Sequence, residues 1–330
     1  MSEPDTGASD IHTVAVAGGT GFVGGAIAYE LASRGYRVVA LSHRRSLPAR
    51  PGQSATSNPI EVRHADVADP ATLPEALRGV HALVIALAFH NYPVEAPRRG
   101  QTFERVDAAG TEALVAAARG AGVSRIVYMS GAGADPNATQ PWYRAKARAE
   151  QAVKNSGLTY TIFRPSWIYG PGDRSLNRFL GFTRILPFVP QIGNGKQRLA
   201  PAFIDDVAAL VTDSLAIPGA ENQVFEIGGP ETLAMDDIIR AALRASGRRR
   251  FILHAPVALM KAMTAPLTIL PSPPMRPSAI DFVVQSAPVD TTLLRERFPR
   301  RLRTVDEGLA TYLSNGHASS DRPGRKAGQS

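Results

Sequence analysis

Short apolar runs recur along the first half of the chain, each stopped by a glycine, a proline or a polar cluster. They are TVAVAG from Thr13, RVVALS from Arg37, IEVRHAD from Ile60, ALVIALA from Ala82, RIVYMS from Arg125 and TYTIFRP from Thr159. Runs this short, with little polar alternation, predict strands buried on both faces. Between most of them apolar residues return every three or four positions, which predicts helices over 22–34, 70–78, 107–119 and 142–155. Gly35 and Gly157 then stand where helix C-termini favour a residue free to turn left-handed. This alternation predicts an α/β fold, a doubly wound parallel sheet with helices on both faces.

The rhythm changes near residue 170. RSLNRFLGFTRILPFVPQIGNG is rich in turn residues and reads as an insertion on the substrate side. IDDVAALVTDSLA then predicts an amphipathic helix over 203–216, with NQVFEIGG a strand after it. Residues 266–277 carry five prolines and are expected to be mostly extended loop. The expected organisation is a polar tail over 1–10, a first domain over 11–170, a smaller C-terminal substrate or partner region over 171–315, and a second polar tail over 316–330. Both tails are expected to be disordered. The 203–216 helix is expected to pack back on the first domain.

Composition narrows the picture only modestly. Hydrophobic residues make up 44% and charged residues 20%, an ordinary globular balance. There is no cysteine, which excludes disulfides, thiolate zinc sites and cysteine nucleophiles. No His, Asp and Glu spacing suggests a metal site. The N-terminal stretch has neither the basic start nor the apolar run of a secretory signal, and no apolar stretch reaches membrane-spanning length. A cytoplasmic location with at most peripheral membrane contact is expected. The net charge is +8, and 32 of the 37 basic residues are Arg. The basic clusters are scattered and lack interleaved aromatics, so nucleic acid is not the expected partner.

One segment carries specific chemistry. After the apolar strand comes Gly18-Gly19-Thr20-Gly21-Phe22-Val23-Gly24, and then a helix. In such a turn Gly18 permits the tight bend and Gly21 lets a pyrophosphate approach the backbone. Gly24 lets helix and strand pack closely, while the amides of Phe22 and Val23 open the helix toward the phosphates. This is a Rossmann-like dinucleotide site. An acidic residue at the end of the second strand would select NAD, but the chain has Ser42-His43-Arg44-Arg45 there. His43, Arg44 and Arg45 favour the 2′-phosphate of NADP over the bare ribose of NAD. Asp66, with Val67, and Ala86 follow the third and fourth strands and are candidates to line the same cofactor. Asp66 equally fits the cap of the next turn.

From GGTGFVG, HADV, GVSRIVYMSGAGA, RAKARAEQAV, YTIFRPSWIYGPGD, AFIDDVAAL and FEIGGPETLAMDDII, in that order, the chain resembles the extended and atypical short-chain dehydrogenase/reductase superfamily over about residues 12–240. FRPSWIYGPGDRSLNRF with IGNGKQRLAPAFIDDVA resembles most the nucleotide-binding accessory subunit of respiratory complex I and its bacterial relatives. The resemblance implies that Lys146 is the lysine anchoring the nicotinamide ribose, and that Pro165, with Ser166 and Trp167, passes the carboxamide. It also places the family's catalytic Tyr four residues before the lysine, where this chain has Trp142. An indole N–H does not exchange as an acid at neutral pH, whereas a phenol does so when a neighbouring cation stabilises its phenolate. Tyr143, at i−3, is a candidate substitute, and Ser130 is a candidate for the second hydroxyl or the cofactor lining. His90 follows the fourth strand and is a lesser candidate for the substrate side. Asp205 and Asp206 read as a helix N-terminus.

These residues leave turnover open. The leading expectation is an NADP(H)-binding protein of this superfamily without the standard Tyr-based chemistry, linked by resemblance to complex I or quinone metabolism. An active NADPH-dependent reductase using Lys146 on a quinone or enone, and a redox sensor acting through a protein partner, stay open beside it. The apolar stretch 256–277 with its three methionines reads either as a lid over the substrate cavity or as a docking surface for a quinone-like ligand or a membrane-associated partner.

Overall fold

The computed structural model describes residues 11–43 and 58–313. Arg44, Arg45 and both predicted tails lie outside the described residues. The first half alternates as its pattern predicts. Strand β1 (Thr13–Ala17) leads to helix α1 (Phe22–Ser33), then come β2 (Arg37–Ser42), β3 (Glu61–His64), the short α2 (Leu73–Ala76) and β4 (Ala82–Ile85). After these follow α3 (Gly110–Gly120), β5 (Arg125–Met129), α4 (Pro141–Lys154) and β6 (Thr159–Pro165). Among the described residues the central sheet has seven strands, all parallel, in the order Gln223–Ile227, β6, β5, β4, β1, β2, β3.

The order reverses at β1. From there the chain winds outward through β2 and β3, then crosses back to place β4 on the other side. Connections leaving β1 and β4 to opposite faces open a crevice at the carboxyl ends of those strands, where such sheets bind ligands. Inside the sheet the alternation is strict. Val14, Val16, Val38 and Val84 face α1, while Ala15, Ala17, Val39, Leu83 and Ile85 face α3 and the end of α4. Each fully buried Ile, Leu or Val contributes about 1.5–3 kcal/mol.

Two predicted elements differ in detail. The helix expected over 107–119 is preceded by a wide π-helical segment over Phe103–Ala109, capped by the Thr102 hydroxyl accepting from the Arg105 amide. The helix expected over 70–78 shortens to a 3₁₀ turn at Pro70–Thr72 and the single turn of α2, because Pro70 and Pro74 withhold amides.

The division near residue 170 is not a clean one. Strand Gln223–Ile227 returns to pair with β6, and helix Ile204–Asp213 packs on α1. Asp206, near that helix's start, ion-pairs with Arg303 and accepts its backbone amide at 2.8 Å, fastening the last described helix, Val305–Leu313, to this returning helix. The Pro-rich stretch contains a 3₁₀ turn, Pro266–Ile269, followed by loop up to helix Pro277–Val284. Ahead of it, residues of the expected lid or docking segment form helix Val257–Thr264.

Candidate dinucleotide site

The glycine turn is built against β4. Gly18 has φ +77°, and a Cβ there would lie 2.4 Å from the Ala86 carbonyl oxygen, so only glycine fits. A Cβ on Gly24 would come within 2.3 Å of the Gly18 oxygen, which brings the first turn of α1 onto the loop. The Gly21 amide donates to the Gly18 oxygen at 2.8 Å, and Gly21 is the N-cap of α1. No acidic side chain occupies the first turn of α1, so its outward amides and positive dipole end suit an anion. The Thr20 and Ser42 hydroxyls share a hydrogen bond of 2.8 Å, tying the turn to the end of β2, where His43 is exposed. A cradle that a single Cβ would fill, at a helix head whose first turn has no carboxylate, fits a dinucleotide's pyrophosphate.

The flanking candidates divide. Ala86 and Pro165 both sit at the carboxyl edge, where the Ala86 amide donates to Ala17 and the Pro165 carbonyl accepts from the Ala132 amide, each at 3.0 Å. Asp66 accepts the Ala68 amide on one carboxylate oxygen at 2.8 Å, and so caps its own turn. Val67 packs on the backbone at Gly110. His90 is exposed. The buried hydroxyl of Ser130 donates to Glu150 at 2.6 Å. Glu150 also takes both arms of Arg164 at 2.7 and 2.6 Å, so Ser130 belongs to an internal network joining α4 to β5 and β6. Ser166 likewise serves the backbone, donating to the Ala287 carbonyl at 2.6 Å.

Helix α4 explains the rest. Its buried stripe is Trp142, Ala145, Lys146, Ala149, Glu150 and Val153, an i, i+3, i+4 repeat that turns two charges inward. Lys146 is only 8% exposed. Its Nζ lies 2.8 Å from Asp107 Oδ1, donates to the Met129 carbonyl at 3.3 Å, and stands 5.4 Å from the Tyr128 ring centre. Asp107 is fully buried in the π-helical segment. Burial acts against both charges. It raises the Asp107 carboxyl, which Lys146 partly offsets; burial is also the largest single influence against the ammonium, but Asp107 together with Tyr128 and Tyr92 outweighs it and Lys146 is held protonated.

Around this pair stands an aromatic wall. The Trp142 indole, 3% exposed, lies 6.0 Å from Phe103 and 5.2 Å from Phe282 between ring centres, and Tyr92 lies 5.5 Å from Phe282. Phe282 belongs to helix Pro277–Val284, so the C-terminal region closes over α4. Tyr143 is half-buried with its ring over Gly133, whose φ of +80° and absent Cβ make room for it in the loop after β5. Burial raises the phenol of Tyr143, raises that of Tyr92, and pushes Tyr128 up to about 12. A phenol acting as acid or base near neutrality needs the opposite shift.

Sequence reasoning missed Asp107, Tyr92, Phe103 and Phe282. For Asp107 a signal existed: it lies on the apolar stripe Phe103, Asp107, Thr111, Leu114, where a carboxylate is out of place unless paired. Among the described residues no group of three or more His, Asp or Glu is placed to hold a metal, and no helix is long and apolar enough to cross a membrane.

Comparison with known proteins agrees with this geometry. Residues 18–180 match a family described as NAD(P)H-binding. The chain is 33% identical over 155 residues to NADH dehydrogenase [ubiquinone] 1 alpha subcomplex subunit 9, mitochondrial, of Arabidopsis thaliana, covering 47% of this chain and 38% of the plant protein. It therefore spans well under half the length of that relative. An NAD(P)H azoreductase of Xenophilus azovorans is 27% identical over 250 residues, covering 71% of this chain and 74% of the relative. Among solved structures, the NADPH-dependent quinone oxidoreductase QOR2 of Escherichia coli, complexed with NADPH, has a TM-score of 0.66 at 22% identity, covering 90% of this chain and 99% of that one. Residues 18–180 thus form a Rossmann fold that matches an NAD(P)H-binding family, and the chain is similar to a complex I subunit and to a bacterial azoreductase.

Proposed function

We propose that this chain holds NADP(H) at the Gly18–Gly24 turn and does not perform Tyr-based carbonyl reduction. The observation that carries this reading is the environment of Lys146. Its i−4 neighbour is the buried indole of Trp142, its ammonium is committed to Asp107, and every phenol nearby is shifted away from neutrality. The turn amides and the α1 dipole would hold the pyrophosphate. The end of β2 favours the phosphorylated ribose, since Ser42 and His43 supply no carboxylate and Arg44 and Arg45 follow. Lys146, fixed from below by Asp107, would orient the nicotinamide ribose, and Trp142 with Phe282 would keep water from that side.

Bound NADPH supplies a hydride. A second reading therefore follows from one detail: Tyr143 is half-buried at the mouth of the β5 loop while Lys146 is held protonated. In that reading the chain reduces a flat acceptor such as a quinone, whose reduction asks less of an acid at the outset. The azoreductase relative and the fold shared with a quinone oxidoreductase support it.

One titration separates the readings. The protein is titrated with NADPH and with NADH, then given a panel of quinones while the nicotinamide absorbance is followed. Saturable NADPH binding with no oxidation above the free-cofactor rate supports the holding role. Oxidation with any acceptor supports the reductase, and failure to bind either dinucleotide refutes both.

A further inference from the structure

The C-terminal region carries a surface that the dinucleotide site does not use. Strand Phe251–Ala255 pairs in parallel with Phe188–Ile192. Its inward residue Ile252 packs on the core, while Phe251 and Leu253, on the opposite face, are 60% and 48% exposed. Ile185, in the preceding loop, is 85% exposed. The outer face of an exposed strand is ordinarily polar, so three large apolar side chains left in water call for an explanation.

The same surface is basic. Arg250 donates to the carbonyls of Thr183 and Leu186, bracketing Ile185, and Arg248 donates to the Leu180 carbonyl at 2.7 Å. Arg184 and Arg249 are exposed beside them. Among the described residues none of these four guanidiniums has a carboxylate partner, unlike Arg240 and Arg244 on the neighbouring helix, which pair with Asp237 and Asp306. Their mutual repulsion is felt at Arg248, whose proton affinity is lowered by burial and then by Arg184 and Arg250. Four uncompensated cations around exposed aliphatic and aromatic side chains complement one kind of surface, with phosphates at its rim and hydrocarbon beneath. A nucleic acid would answer the arginines but leave Ile185 and Leu253 in water.

We propose that Ile185, Phe251 and Leu253, ringed by Arg184, Arg248, Arg249 and Arg250, form a docking face for an anionic phospholipid bilayer. The apolar side chains enter the headgroup boundary, Arg184 and Arg249 take phosphates bidentately, and Arg248 and Arg250, which hold the Ile185 loop, add their charge.

The test is co-sedimentation of the full chain with vesicles of phosphatidylcholine, with and without phosphatidylglycerol. Binding is expected only to the anionic vesicles and is expected to fall as salt is raised. Arg249→Glu with Arg250→Glu should weaken it by about tenfold or more, at about one favourable charge interaction lost per site. Phe251→Ser should weaken it with all charges intact, and both variants should keep the wild-type melting temperature and NADPH affinity. If loss of Arg250 disturbs the loop that it holds, Arg249→Glu carries the charge test alone. No difference between the two vesicle types, variants that sediment like the wild type, or Arg-dependent binding of duplex DNA without vesicle binding would overturn the proposal.

Discussion

Replacing Asp107 with Asn tests the centre of the site. The substitution keeps the side chain's shape and removes its charge, leaving the Lys146 ammonium, 11% exposed as a side chain, beside a neutral amide and the Met129 carbonyl. Removing one partner of a buried pair costs about 3–5 kcal/mol, because the other charge stays desolvated without compensation. An exposed pair would cost about 0–1 kcal/mol, so the two cases are well separated. At about 2 °C per kcal/mol for a chain of this size, the melting temperature should drop by about 6–10 °C. The assay is thermal and urea unfolding of the wild type, Asp107→Asn, Lys146→Met and the double variant, all without cofactor. The double variant should regain most of the loss, since two neutral groups need no counter-ion. A loss under about 1 kcal/mol for Asp107→Asn, or single-variant costs that simply add, would show that the pair is not the buried unit described.

Three further outcomes follow from other residues. Asp173 caps helix Arg174–Phe182 by accepting from the Ser175 and Leu176 amides at 2.7 and 2.8 Å, yet burial raises its carboxyl to about 6. The folded state then keeps a proton that the unfolded chain has released, so stability should fall by about 3 kcal/mol as pH rises from about 4 to about 6. Asp173→Asn, still a competent cap, should flatten that slope in urea titrations across the window; an unchanged slope would assign it to another group. Gly24→Ala places a methyl 2.3 Å from the Gly18 oxygen and must push α1 off the turn. NADPH affinity should fall about tenfold or more with far-ultraviolet circular dichroism intact, and undiminished binding would remove the turn from the site. Lys146→Ala should weaken NADPH binding more than Trp142→Phe does in the same titration, and equal effects would take Lys146 away from the ribose.

Periodicity alone determined most of the first domain, because strand and helix patterns are local and the sheet is buried on both faces. Six of the seven strands, helices α1 and α4 and the phosphate turn were legible in this way. The turn was readable because its glycines meet their constraints within seven residues. The seventh strand was visible as a strand, but its place beside β6 was not, since nothing local says that Gln223–Ile227 rejoins the sheet across a long excursion. That Trp142 stands where the resembled superfamily has its Tyr was legible from the resemblance, four residues before Lys146. What surrounds Lys146 depended on the tertiary structure: Asp107 comes from a different helical segment, Phe282 from the C-terminal region, and the Ser130 hydroxyl is bonded to Glu150 of the next helix. Each of those partnerships joins residues far apart in sequence. The cost of burying a charge, which decides them, exists only once the surrounding elements have excluded water.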